Sequence, residues 1–186
     1  MSVTTAEATT QLPVGTWQSD PTHSSASFAV KHMVVANFRG RFDDVAATLT
    51  VAPDGSAELS GAVRADSIVV KDENLQAHLG APDFFDTERY PEIRFVSNSI
   101  RRNGEELVLE GDLTIKDQTH AVEARGTITD PVETLGGAIK IGATIETVID
   151  RTEFGLTWNA PLPKGGVAVS DEVKLSVELE LARAEG

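Results

Sequence analysis

The chain has four histidines, His23, His32, His78 and His120. No two of them stand two or four residues apart, so no single strand or helix face carries a histidine pair. A metal site built on them would have to gather His and carboxylate ligands from distant strands. Cysteine is absent, which removes thiol nucleophiles, thiolate metal sites and disulfides. Asp43 with Asp44, or Asp83 with Asp86, offers paired carboxylates for acid–base work if their separation is held. Both pairs lie in stretches where Asp commonly serves turn geometry. No G-x-S-x-G, Walker A, H-E-x-x-H or G-x-G-x-x-G motif occurs. These residues predict no catalytic centre, no metal and no cofactor.

Three features carry more information. In SASFAVKHM, His32 alternates with Ala26, Phe28 and Val30, which predicts that it points the same way, into the protein. Arg151 stands in IDRTEFGL, read as an otherwise apolar strand. A buried guanidinium there needs a carboxylate such as Asp150 or Asp112, or an anionic ligand head group. In HLGAPDFFDTERYPEIRF, Phe84 and Phe85 sit together outside any strand pattern. Burying both rings would contribute about 3–6 kcal/mol, enough to anchor a loop as part plug and part pocket wall.

The elements that position these residues alternate with period two. VAATLTV aligns Val45, Ala47, Leu49 and Val51; LVLEGDLTI aligns Leu107, Leu109, Gly111, Leu113 and Ile115; DEVKLSVELEL aligns Val173, Leu175, Val177, Leu179 and Leu181. Pro53-Asp54-Gly55 and Asn103-Gly104 read as turns. One wet and one dry face per strand indicates antiparallel sheet. Glycines inside strands (Gly61, Gly111, Gly126, Gly142) suit sharply coiled strands, which favours a barrel over a sandwich. The inward residues are mostly small or mid-sized. A barrel of about eight strands is just wide enough to fill with side chains or hold one small ligand, and lean filling leaves room for the ligand. One helix is expected, with Asp72 as cap, Leu75 and Leu79 on one face and Gly80-Ala81-Pro82 as the stop. It precedes the Phe84-Phe85 loop, and together they read as a lid.

Residues 1–12 are small, polar and aperiodic and read as a disordered tail, leaving 13–186 as one domain. The net charge of −13 disfavours nucleic acid and anionic membranes as partners. No apolar run is long enough to span a bilayer, so stable membrane insertion is not expected. The N-terminus has no signal-like region, and the expected compartment is the cytoplasm. Strand edges near the termini offer a homodimer contact.

In order along the chain stand W-x-x-D-P-x-H-S (Trp17–Ser24), F-x-V-x-H-M (Phe28–Met33) and R-G-R-F (Arg39–Phe42). H-L-x-x-x-D-F-F-D (His78–Asp86) and Y-P-E-I-x-F-x-S (Tyr90–Ser97) follow. The series ends with G-D-L-T-I (Gly111–Ile115), R-x-x-F-G-L (Arg151–Leu156) and D-E-V (Asp171–Val173). Over Trp17 to about Leu181 the chain thus resembles the YceI-like family of lipocalin-like polyisoprenoid-binding proteins. It departs from the family at Gln76, where an Asp is common, and at Asp117, where Gly is usual.

The resemblance implies an all-β, extended eight-stranded antiparallel barrel, lipocalin-like, with a short helix and lid loop. Its long apolar cavity would hold an isoprenoid such as a quinone tail or polyprenyl phosphate, without catalysis. The expected wall comprises Phe28, Val30, Phe42, Leu79, Phe84 and Phe85 in the first half of the chain. Phe95, Leu113, Ile115, Phe154, Leu156 and Trp158 complete it, with His32 and Arg151 as polar contacts. Two alternatives stand beside a lipid carrier. One is an isomerase- or cyclase-type enzyme using His32 or Asp112 inside the cavity. The other is a stress or interaction module with its interior packed shut.

Overall fold

Alternating sequence becomes alternating burial. A computed structural model describes residues 11–185, and in it Val45, Ala47, Leu49 and Val51 are all buried while Ala46 and Thr50 between them face out. The strands are β1 (Gly15–Ser19), β2 (Ser25–His32), β3 (Ala36–Phe42), β4 (Val45–Val51), β5 (Ala57–Arg64) and β6 (Ile68–Val69). After helix α1 (Glu73–Gly80) come β7 (Glu92–Asn103), β8 (Glu106–Ile115), β9 (Gln118–Ile128), β10 (Val132–Glu133), β11 (Ile139–Asp150) and β12 (Val169–Arg183).

Eight of these close an antiparallel barrel in the order β1-β4-β5-β7-β8-β9-β11-β12. The seam is the long β11–β12 ladder from Lys140↔Ala182 to Asp150↔Glu172. On its other edge β12 serves two partners: Leu181–Arg183 pair with β1, and Val173–Glu178 pair with β2. The β2–β3 hairpin, edged by β6, therefore extends the wall beyond the ring. β1 is also paired with β4, so neither terminal strand offers the free edge expected of a dimer contact. The expected tail lies largely outside the described residues. Leu12, however, packs against the core, and the Gln11 carbonyl accepts a hydrogen bond from Arg102 Nη1 at 3.1 Å.

The barrel has two unequal halves. At one end Trp17, Leu49, Leu107, Leu109, Ile128, Ile141 and Leu181 are packed to near-complete burial. The Trp17 indole N–H donates to Pro13 O at 3.0 Å. Arg102, itself buried, closes this end by donating to Gly104 O, Gln11 O and Asp130 Oδ1. At the other end inward residues on the same faces (Phe28, Val63, Phe95, Leu175, Val177) are only half-buried. A side chain that points into a barrel yet keeps exposed surface is facing a void.

Gly126 shows how tightly the walls approach. A Cβ there would collide with the backbone oxygen of Thr144 on β11. Gly126→Ala is expected to destabilise the protein by about 2 kcal/mol or more, since backbone cannot give way as a side chain does. Gly142→Ala is the control: its Cβ would meet only Thr129 side-chain atoms, at 3.6 Å and beyond. Urea midpoints should fall for the first variant and stay within about 0.5 kcal/mol of the parent for the second.

Candidate functional site

The hollow half encloses a cavity of about 450 Å3 with an almost wholly apolar wall. One buried water needs only about 10–15 Å3, so the interior is not packed shut. The size falls in the range of small-molecule sites. β2 and β3 supply one side, through Phe28, Val30, Phe38 and Phe42. Their rings interlock: Phe28 lies 6.0 Å from both Phe38 and Phe42, tilted against each. Gly40 makes this possible, because a Cβ there would stand 2.5 Å from Phe28 Cζ. Phe95, Leu113 and Ile115 of β7 and β8 supply another part of the wall, and Ile145, Ile149, Val173, Leu175 and Val177 of β11 and β12 continue it beside β2.

α1 and its following loop cover the mouth. Asp72 caps the helix by accepting from Leu75 N–H at 2.9 Å, and Leu79 turns inward. The loop folds back by hydrogen bonds from Phe84 N–H to Ala81 O and from Phe85 N–H to Leu79 O, both 3.0 Å. Phe84 then meets His78 edge-on at 5.0 Å and Trp158 at 5.5 Å, while Phe85 meets Phe42 edge-on at 5.7 Å. Both phenylalanines line the cavity, so they are at once the loop's anchor and part of the wall.

All the expected wall residues lie on the cavity except Phe154. β11 ends at Asp150, and Arg151–Phe154 form a 3-10 turn capped by Asp150, which accepts from Thr152 N–H at 2.9 Å. The turn breaks the strand's alternation and rotates the Phe154 ring onto His120, 5.0 Å away and edge-on. There it plugs the split between β9 and β11, which His120 also closes through Glu153 O at 2.9 Å. His32 does not point into a filled interior. As the last residue of β2, paired with Ala36 and Val169, it is exposed at the rim.

Arg151 borders the cavity but has no donor to spare for a ligand. Its guanidinium, 4% exposed, donates to the carbonyls of Ser170, Leu156, Trp158 and Val169, with Asp171 Oδ1 at 3.6 Å. The partner is not Asp112, which is exposed on β8. Burial lowers its pKa from the ordinary arginine value, and the carboxylates of Asp171 and Asp150 oppose that fall. The sequence reading passed over several wall residues, among them Ile145, Ile149, Val173, Leu175 and Val177, and the one phenylalanine it missed is Phe38. The Phe38-Gly40-Phe42 alternation was the signal that marked it.

The paired aspartates are not themselves on the cavity wall, although Asp83 and Asp86 flank its lid residues. Asp43 bonds Arg41 Nε at 2.8 Å, Asp83 lies 3.5 Å from His78 Nε2, and Asp86 is buried in the lid turn. Asp20, His23 and Glu180 bring three possible metal ligands within 4.8 Å of one another. The Lys140 ammonium already stands there, 3.1 Å from Asp20 and 3.0 Å from Glu180. The cluster holds its own cation. Among the described residues no helix is long and apolar enough to cross a membrane.

Residues 17–181 match the family model described as the YceI-like domain. A UPF0312 protein of Staphylococcus aureus (strain USA300) is 31% identical over 172 residues, covering 89% of this chain and 96% of that protein. Two solved structures share the fold. The crystal structure of Burkholderia cenocepacia BcnA has a TM-score of 0.74 at 22% identity, covering 87% of this chain and 98% of its own. A polyisoprenoid binding domain from Saccharophagus degradans, implicated in plant cell wall breakdown, has a TM-score of 0.67 at 11% identity, covering 92% and 100%.

Two buried or half-buried charges are directly testable. Arg151→Met should lower stability by about 3–5 kcal/mol in urea unfolding, since it leaves several interior carbonyls without a donor. Hydrogen bonds from His23, from Thr22 N–H and from Lys140 hold the Asp20 carboxyl well below the ordinary carboxylate range. A depressed folded-state pKa contributes stability that is present above the unfolded value and lost as pH falls through the folded one. The stability gap between the parent and Asp20→Asn should therefore be full at neutral pH and narrow steadily below about pH 4.

Proposed function

Because the chain belongs to the YceI-like family, we propose that it binds a long isoprenoid or similar amphiphilic lipid in its barrel cavity and carries or sequesters it without catalysis. The observation that carries this reading is the mismatch between alternation and burial. Phe28, Phe95, Leu175 and Val177 face inward but remain half-exposed, around a space with almost no polar atom on its wall. Water in such a space finds few hydrogen-bond partners. An apolar chain instead removes surface from water on both sides, at about 25 cal/mol per Å2. The wall of aromatic and branched residues suits a branched, unsaturated hydrocarbon. The Saccharophagus domain of the same fold is described as polyisoprenoid binding, which supports the choice of ligand class.

A catalytic reading finds less support. Of the residues that an enzyme would use, His32 is solvent-exposed at the rim and Asp112 is exposed off the cavity wall, so they do not form a polar pair deep inside. The buried Arg151 spends its donors on backbone carbonyls.

Filling the cavity tests the proposal. A side chain at Gly61 would start in ordinary contact, 3.6 Å from Ala47 Cβ on the cavity wall. Gly61→Phe should keep the parent's circular dichroism while occupying the ligand's space. A short-chain ubiquinone is expected to quench Trp158, on the wall, in the parent, with affinity at least ten-fold weaker in the variant. Equal quenching in both proteins, or none in the parent, would overturn the reading.

A further inference from the structure

Two loops stand at the open end. The β2–β3 connection runs through Met33, Val34 and Val35, and a second hairpin is closed by the Pro161–Val167 bridge. They are joined: Met33 N–H donates to Ala168 O at 2.8 Å, and a Cβ on Gly166 would lie 3.4 Å from Val34 Cγ2. Both reach the cavity, whose wall includes His32, Met33, Trp158 and Ala168.

Their composition is unusual for a solvated tip. Val34 is 61% exposed, Val35 82% and Val167 45%. Met33 and Val34 also hold left-handed backbone, with φ of 51° and 66°. That region suits Gly or Asn at hairpin tips and disfavours a β-branched residue. The chain thus places an exposed valine in a strained position where a polar turn residue would be easier. Strain and exposed apolar surface together point to contact with something else.

The charge at this end indicates the partner. The protein carries −13 overall, yet no Asp or Glu occurs from Ala29 to Phe42 or from Leu156 to Ser170, while Lys31, His32, Arg39, Arg41 and Lys164 do. Of the carboxylates nearby, Asp83 and Asp171 face His78 and Arg151, Asp150 accepts from Thr152 and Asp72 caps α1. Glu73 and Glu172 stand outside the two loops, and Arg41 is paired with Asp43. The other exposed apolar group, Val132, Leu135 and Ile139, differs on both counts. It stands at the packed end of the barrel, beside Asp130 and Glu133.

We propose that the Met33–Val35 tip and the Pro161–Val167 hairpin form a docking surface for a bilayer bearing anionic lipid, seating the cavity mouth on the membrane from which its guest is drawn. Apolar side chains enter the interface while Lys164 and its neighbours meet lipid phosphates, the pairing of contacts that holds peripheral proteins on membranes. The surface rests on the lipid-binding reading above, but it is separately testable because Val34, Val35 and Lys164 are not on the cavity wall.

The test is co-sedimentation with vesicles of phosphatidylcholine plus phosphatidylglycerol, and with phosphatidylcholine alone. The variants are Val34→Asn with Val35→Asp, and Lys164→Glu. The parent should bind the mixed vesicles, more weakly at high salt, and each variant should bind at least ten-fold less while retaining ubiquinone quenching of Trp158. Parent and variants that sediment equally would overturn the docking surface. So would a parent that takes up quinone yet binds neither vesicle, leaving the cavity reading intact. A parent that self-associates through the same residues and ignores vesicles would show the surface to be an interface between copies. Loss of quinone quenching in the parent itself would count against the cavity reading.

Discussion

The structure depends on a shortage of side-chain volume. A closed eight-stranded barrel encloses a tube of fixed width, and its inward positions must fill it or leave it open. In one half Trp17, Leu49, Leu109, Ile128, Ile141 and Leu181 fill it almost completely. In the other, small residues such as Ala47, Gly61 and Ala124 share the wall with rings such as Phe28 and Phe95 that stay half-exposed. The same barrel therefore has a packed core that holds it together and a void that the core does not need. Stability and binding capacity are separated along one axis.

Opening a barrel at one end loosens the backbone there, and the chain answers with buried guanidinium groups. Arg151 ties the carbonyls that follow β11 to those that begin β12, so the loop carrying Trp158 is fixed from inside. Arg102 does the corresponding work at the packed end. Arginine suits both places because its rigid fork of donors can satisfy several carbonyls that diverge from the ladder. The lid uses a weaker connection, of ring contacts from His78, Phe84 and Phe85 to Trp158 and Phe42. A lid held to the barrel by apolar contacts can part for an apolar guest while its buried Asp86 keeps its partner Arg89 within the same segment.

Much of this was legible in the sequence because it is periodic. Alternation located the inward faces of β4, β8 and β12, the Asp72 cap located α1, and the lean inner face pointed to a hollow barrel. What escaped was set by departures from period. The 3-10 turn after Asp150 moved Phe154 off the wall, and nothing in IDRTEFGL marks where the strand stops. His32 keeps the right phase, but the strand carries it past the rim, a matter of strand length rather than pattern. Arg151's partners are main-chain oxygens, which no residue type advertises. Phe38 was missed although Phe38-Gly40-Phe42 keeps period two, since the motif that was read begins at Arg39 and the role of Gly40 as space for the Phe28 ring shows only in the fold.

The central claim is that the void belongs to a hydrocarbon guest. Native mass spectrometry of the chain, purified without detergent and then mixed with a prenylated quinone, tests it most directly. The account predicts a population heavier than the polypeptide by one apolar molecule, retained under gentle conditions and released by organic solvent. A spectrum that shows only the bare polypeptide, before and after the quinone is added, would contradict it.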